Sequence, residues 1–339
     1  MSEIKQNVSL KPFNTFQIDA RAAYFCEIHS VTELQQLIKR LDEFPRFLVL
    51  GGGSNLLFCG DYNGLVIHNC ITGHSLAKAD GQQILTLGSG ENWHEAVQFS
   101  VGKGLYGIEN LALIPGTAGA APIQNIGAYG VELKDVFRSL TAVDLSNGSL
   151  REFSLAECRF AYRDSIFKQE AADRYCITSV TLNLSTEGQV KTAYGEIEAE
   201  IERRSLEKDA MTPKDMSEII TAIRQRKLPD PAENPNAGSF FKNPVVPREQ
   251  AEELKARFPG LVSYPLSDHQ VKLASGWLID NLGWKGRSLN GARVHDRQAL
   301  VLVNEGGGAP AVKALAERIQ REVADTYGVK LEPEPRWVE

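Results

Sequence analysis

The chain has 339 residues, enough for two or three domains and a substantial core; apolar residues make up 42% and charged residues 24%. A net charge of −6 argues against a generic nucleic-acid binder, and five widely spaced cysteines (26, 59, 70, 158 and 176) without a CxxC pair argue against a disulfide framework or a cysteine zinc site. The opening MSEIKQNVSLKPFNTF lacks an apolar signal core and no apolar run approaches membrane-spanning length, so the chain reads as a reduced, soluble, cytoplasmic protein without membrane insertion and with no metal.

In chain order, TELQQLIKRL at 32–41 reads as a helix, with Thr32 and Gln35 as a capping-box pair and Leu34, Leu37, Ile38 and Leu41 on one face. RFLVL, after Pro45, is a buried strand ending in Gly51-Gly52-Gly53-Ser54-Asn55, and GLVIHN at 64–69 is a second strand. Strands ILTL (84–87) and ITSVTLNL (177–184) flank a helix near 93–101, and TEGQVKTAYGEI (186–197) reads as polar and turn-like. A helix at 213–226 is capped by Thr212, opens on Pro213 and turns Met216, Ile219, Ile220 and Ile223 inward. A helix near 248–258 and a strand ALVLVN (299–304) follow. A last helix, 311–327, places Val312, Leu315, Ile319 and Val323 at core spacing and stops at Gly328. The chain mixes α and β and changes character near 190–212.

Several stretches are suited to chemistry. In LVLGGGSNLL three glycines after a strand allow a tight turn whose amides can form an anion nest, although a structural glycine turn reads the same way. In IENLALIPGTAGAAPIQNIGAYG (108–130) small residues leave little side chain to bury, so the backbone is free to wrap a large flat ligand, with Gln124, Asn125 and Tyr129 as hydrogen-bonding groups. FAYRDSIFK (160–168) offers Arg163, whose planar fork suits a carboxylate; a surface Arg163–Asp164 pair is the plainer alternative. Arg224 and Lys227 lie three apart at a helix end, either as an electrostatic cap or as phosphate ligands. NPNAGSFFKNP (234–244) sets Ser239, Lys242 and Asn243 around Phe240 and Phe241, the pattern of a dry pocket wall with aimed donors. In LEPEPRWVE, Glu332 and Glu334 flank Pro333 in an extended segment, and one of them is expected to face a site.

GGGSN, ENLALIPGTAGAAPIQNIGAYGVEL, FAYRDSIFK, LPDP, NAGSFFKNP and LEPE, in this order over residues 9–336, resemble the UDP-N-acetylenolpyruvoylglucosamine reductase family, in its longer, type I branch. The resemblance implies an α+β fold: an FAD-binding part of the p-cresol methylhydroxylase and vanillyl-alcohol oxidase type, in two α+β subdomains, and a C-terminal α+β substrate-binding domain. The division it implies is 1–70 and 71–208 for the FAD subdomains, 209–329 for the substrate domain, and a returning tail at 330–339. Covalent relatives carry a histidine in the glycine turn, and here Gly53-Ser54-Asn55 stands instead, so FAD is expected to be held non-covalently.

The family pattern implies three catalytic residues: Arg163 for the substrate carboxylate, Ser239 as proton donor, and Glu334 assisting. Tyr162, Tyr194, Lys227, Asn243 and Gln298 match substrate-binding positions, with Tyr194 a gating tyrosine on a mobile loop over the site. Cofactor positions are Gly51, Gly52, Gly53, Ser54, Asn55, Ile114, Pro115, Gly116, Gly119, Ala120, Gln124, Asn125, Gly127, Ala128, Tyr129, Arg224 and Arg336. The implied activity is NADPH-dependent reduction, through FAD, of the enolpyruvyl ether of UDP-N-acetylglucosamine to UDP-N-acetylmuramate, by a monomer that binds small molecules and no nucleic acid. Three positions depart from the pattern, Ala161 for glycine, Pro235 for glycine and Pro335 for valine, and none removes a catalytic group.

Overall fold

The structure is a computed structural model and describes residues 2–79 and 81–339. Its strands are β1 Lys5–Ser9, β2 Arg21–Ile28, β3 Phe47–Leu50, β4 Leu56–Phe58, β5 Tyr62–Asn69, β6 His74–Ala79, β7 Gln82–Gly88, β8 Gly127–Ala128, β9 Val131–Glu132, β10 Phe137–Asp144, β11 Leu150–Ser154, β12 Tyr175–Leu184, β13 Val245–Pro247, β14 Ser263–Pro265, β15 Gln270–Leu273, β16 Ser288–Leu289, β17 Ala292–Val294, β18 Leu302–Asn304 and β19 Arg336–Val338. Its helices are α1 Val31–Ile38, α2 Trp93–Gly102, α3 Leu155–Cys158, α4 Gly195–Arg203, α5 Pro213–Lys227, α6 Arg248–Arg257, α7 Ser275–Asn281 and α8 Gly308–Tyr327. Among the described residues no helix is long and apolar enough to cross a membrane.

The chain forms two compact units. The first comprises the residues up to Val8, Ala22–Gly53 and Tyr62–Arg226; the second comprises Ser9–Arg21, Ser54–Asp61 and Lys227–Glu339.

In the first unit, β1-β2-β5-β3 form one sheet, in which β5 pairs in parallel with β2 and β3. Leu65 and Ile67 of β5 join Cys26, Ile28, Leu34 and Leu37 in one apolar core, as buried parallel strands require. A second sheet, β11-β10-β12-β7-β6, is antiparallel throughout. Its Leu85, Leu87, Leu140, Val180 and Leu182 pack with Trp93 and Val97 of α2 and with Met216, Ile219, Ile220 and Ile223 of α5. Thr212 caps α5 as its sequence indicates: its Oγ1 accepts the Asp215 N–H at 3.2 Å, and the Asp215 carboxylate accepts the Thr212 N–H at 2.9 Å.

Two local expectations are corrected. The cap of α1 is Ser30, not Thr32: its Oγ accepts the Glu33 N–H at 3.2 Å, while Glu33 Oε2 accepts the His29 N–H at 2.7 Å. Ser30 is extended (φ −152°, ψ 157°), so its hydroxyl reaches back over the first turn, and Gln35 instead donates to the Gly148 carbonyl at 2.8 Å. Residues 195–197 are the first turn of α4 rather than part of a loop, because buried Ile197 and Ile201 give that stretch an apolar face.

The second unit holds sheets β13-β15-β14 and β16-β17-β18, and the parallel pair β4 and β19. Val312, Leu315, Ile319 and Val323 of α8 are fully buried, and the helix stops at Gly328, whose φ of 64° suits the residue that ends a helix. The expected strand at 299–304 keeps its ladder only at β18; Val301, just before it, makes a single bridge with Ser239.

Candidate functional site

The first unit carries the two glycine-rich turns. The Gly51-Gly52-Gly53 turn leaves the end of β3, and Gly53 adopts φ 60°. Gly52 lies against the second turn so closely that a Cβ on it would stand 3.0 Å from the Gly116 Cα, and one on Gly51 would stand 2.7 Å from Thr117 Oγ1. Glycine is therefore required here by backbone approaching backbone. Among the described residues, the amides of Gly51, Gly52, Gly53, Ile114, Gly116 and Thr117 donate to no protein acceptor. Gly119 is needed for packing as well, since a Cβ there would meet Ser89 Cβ at 2.5 Å.

Side chains hold this second run in place. His94 Nδ1 accepts the Leu113 N–H at 2.9 Å, and burial pushes its imidazole down from the ordinary value near 6.5. Asn125, fully buried and left-handed at φ 45°, donates to Glu132 Oε2 and to the Ala161 carbonyl, both at 3.1 Å, and accepts the Lys134 N–H at 3.0 Å. Asn110 donates to the Tyr129 and Lys191 carbonyls, each at 3.0 Å, and so ties the glycine run to the segment before Tyr194. Tyr194 is 47% exposed, and its ring meets that of Tyr129 edge-on at 6.0 Å.

Arg163 donates to the Gly127 carbonyl at 2.8 Å and lies over the Tyr162 ring, 5.6 Å from its centre. It is left-handed at φ 56°, as are Leu113, Asn125 and Tyr129, so four non-glycine positions in these stretches carry backbone strain. Arg224 donates to the Leu113 carbonyl at 3.2 Å. Burial pushes its guanidinium down from the ordinary value, Tyr129 opposes that, and like-charged Arg163 adds to it. An arginine stays cationic at neutral pH even so, and two cations within electrostatic reach of each other make an anion-attracting surface.

In the second unit, Asn236 fixes the turn before Ser239. It is buried, its Oδ1 accepts the Gly238 N–H at 2.7 Å, its amide donates to the Asn234 carbonyl at 2.7 Å, and its own N–H donates to the Thr15 carbonyl at 3.0 Å. Gly238 then takes φ 71°. The next residues are locked by backbone on both sides. The Phe240 N–H donates to the Leu300 carbonyl at 2.7 Å, the Phe240 carbonyl accepts the Glu334 N–H at 2.8 Å, and the Lys242 N–H donates to the Glu332 carbonyl at 2.9 Å. Glu334 is thus bonded to the residue that follows Ser239. The two phenylalanines are core, each 1% exposed, packing edge-on at 5.1 Å, with Phe16 6.2 Å from Phe240. Glu332 makes an ion pair with Lys242 at 3.2 Å, while Glu334 is half-buried. Asn243 Oδ1 accepts the Ser275 N–H at the start of α7 at 2.9 Å, Gln298 is half-buried, and Lys227 is exposed.

The tail also reaches the residues that follow the glycine turn. Asn55 donates to the Glu334 carbonyl at 3.3 Å and accepts the Arg336 N–H at 3.0 Å, and β19 then pairs with β4.

The family described as "FAD binding domain" matches residues 22–154, and the family "UDP-N-acetylenolpyruvoylglucosamine reductase, C-terminal domain" matches residues 230–338. The UDP-N-acetylenolpyruvoylglucosamine reductase of Burkholderia multivorans is 51% identical over 96% of this chain and 94% of its own length. The chain belongs to that reductase family. The Chromobacterium violaceum reductase is 49% identical over 98% of each chain. The crystal structure of the Thermus caldophilus reductase has the same fold, with a TM-score of 0.68 over 100% of both chains at 24% identity.

Members of this reductase family are FAD-containing oxidoreductases, and the residues present here fit the cofactor. FAD brings a pyrophosphate, an acceptor of the kind that amides without protein acceptors in two closely packed turns can serve. No histidine stands in the turn Gly51–Asn55 to make a covalent link. The sequence-level reading missed the supporting residues His94, Asn110 and Asn236. Each is a lone polar residue whose partners are backbone atoms remote in sequence or hidden in a turn, and only the Asn-x-Gly spacing at Asn236–Gly238 carried a local signal.

Proposed function

We propose that this chain, as an FAD-dependent member of its reductase family, reduces the enolpyruvyl ether of UDP-N-acetylglucosamine to UDP-N-acetylmuramate in peptidoglycan synthesis, taking hydride from NADPH. The observation that supports the reading is the backbone lock on Phe240, which ties the residue after Ser239 to Glu334 within the stretch matched by the reductase C-terminal domain. FAD, when bound, supplies the hydride-transfer chemistry that a protein side chain lacks. Arg163 binds the substrate carboxylate with its fork and stabilises the negative charge that builds there as the double bond is reduced. Ser239 Oγ–H gives its proton to the carbon beside that carboxylate. A serine is a weak acid, and it serves because the developing carbanion is a strong base. Glu334 assists beside it. Tyr162, Tyr194, Lys227, Asn243 and Gln298 bind the substrate, and Arg224 and Arg336 serve the cofactor together with Ser54, Asn55, Pro115, Ala120, Gln124 and Ala128 around the two turns. We place the enzyme in the cytoplasm as a monomer acting on small molecules and not on nucleic acid.

The test separates the two halves of the reaction. Under anaerobic conditions, NADPH should bleach the flavin absorbance, and UDP-N-acetylglucosamine enolpyruvate added afterwards should restore it with formation of UDP-N-acetylmuramate. A flavin that bleaches and does not recover with this substrate would overturn the reading.

A further inference from the structure

A cluster of donors lies outside the residues used above, at the carboxyl ends of β2 and β5. Glu27 and His68 are register partners in the parallel ladder, and Cys70 follows immediately, its N–H donating to the Ile28 carbonyl at 2.9 Å. His68 Nδ1 lies 3.2 Å from Glu27 Oε1 and 3.2 Å from Cys70 Sγ, and one donor atom from each of the three residues lies within 4.8 Å of the others. All three residues are half-buried.

The arrangement is not that of an activated nucleophile. A thiol–imidazole–carboxylate relay uses the two ring nitrogens in series, one toward the thiol and one toward the carboxylate. Here both contacts converge on the same nitrogen, Nδ1. A metal ion instead requires donor atoms gathered around one point, and here one from each of the three residues lies within 4.8 Å of the others. Bonds of about 2.3 Å to sulfur and about 2.0–2.2 Å to nitrogen and oxygen place tetrahedral ligand atoms roughly 3.3–3.6 Å apart. The two 3.2 Å contacts are within a few tenths of an ångström of that spacing, and the third pair lies within 4.8 Å.

We propose that Glu27, His68 and Cys70 bind one Zn²⁺ ion, with solvent completing the tetrahedron. Thiolate and imidazole together favour zinc over magnesium or calcium, and partial exposure leaves an entry path and a fourth position. Binding displaces the Cys70 thiol proton to solvent, with no change of oxidation state. The ion braces β2 against β5 at the end of the sheet from which the glycine turn departs, because His68 is also the register partner of Leu50, the residue before Gly51.

The experiment uses tag-free, FAD-loaded protein stripped of metals with a chelator. Co²⁺ should bind one ion per chain with the ligand-field bands of a tetrahedral thiolate site, read to the red of the flavin absorption, and Zn²⁺ should displace it and raise the melting temperature. Cys70→Ser and Glu27→Gln should weaken Zn²⁺ at least roughly tenfold, and His74→Asn, at a separate His74–Glu91 contact 3.9 Å long, should leave it unchanged. Flavin content and metal-free melting keep the comparison among folded proteins. Absence of saturable Co²⁺ binding, or equal Zn²⁺ affinity in wild type, Cys70→Ser and Glu27→Gln, would show that the three groups only hydrogen-bond to one another.

Discussion

The glycine run at 110–130 and the segment at 239–242 solve the same problem, holding an irregular backbone still, by opposite means. The first is held by side chains: His94, Asn110 and Asn125 grip carbonyls and amides of a loop that contains three left-handed non-glycine residues and amides with no protein acceptor. The second is held by backbone: Phe240 is bonded to Leu300 on one side and Glu334 on the other, over two buried rings. A loop that must present its own amides to a ligand cannot spend them on a ladder. A strand that must present one hydroxyl can use every amide for support and leave the side chain to do the chemistry.

That contrast makes Ser239→Ala the sharpest test, because the ladder should survive it. Reduction of the flavin by NADPH should stay nearly intact while reoxidation by substrate slows about 10²–10⁴-fold; equal losses in both half-reactions would make Ser239 a structural residue. Asn125→Ala strikes the side-chain-held region instead. Losing three bonds at a buried left-handed position should cost about 2–4 kcal/mol of stability, with poorer FAD retention. Thermal melting and flavin content check both parts, and an unchanged variant would show that the loop is held by its backbone after all.

Arg163→Lys keeps the charge and removes the fork. Substrate turnover should fall roughly 10- to 100-fold at constant flavin content, and steady-state kinetics with a flavin assay will show whether it does. The His94 contact adds a pH dependence. The folded imidazole titrates below the unfolded value near 6.5, so its contribution is complete above that value and is lost as pH falls through the folded one. FAD release measured across this range should rise on acidification, and His94→Gln should flatten the profile. The smallest effect is expected from Glu332→Ala. Its ion pair with Lys242 is mostly exposed on the glutamate side, so stability should change by less than about 0.5 kcal/mol and turnover not at all; a loss comparable to that of a Glu334 variant would mean that the tail's two carboxylates had been assigned the wrong way round.

What could be read from the sequence follows the range of the interactions concerned. FLVL was legible as a continuous apolar run, ITSVTLNL as apolar residues alternating with polar ones, and α5 and α8 because their apolar faces repeat within the helix. The cap of α1 was misplaced because Ser30 and Thr32 both begin plausible boxes, and backbone geometry chose between them. Nothing in the sequence marks Asn110 as the link between Tyr129 and Lys191, since the three are joined only by folding. Glu27, His68 and Cys70 come together only when β2 and β5 pair in parallel register, which composition and spacing do not encode.

The pairing of β4 with β19 matters during synthesis. Leu57 and Phe58 of β4 are completely buried in the finished protein, yet their strand partners, Trp337 and Val338, are translated about 280 residues later. While the chain elongates, a short apolar strand next to the glycine turn therefore waits for an edge that does not yet exist. Closing so long a loop is slow. A chain interrupted before Trp337 would leave Leu57 and Phe58 uncovered, and the product would be a sticky chain that lacks the strand that covers them.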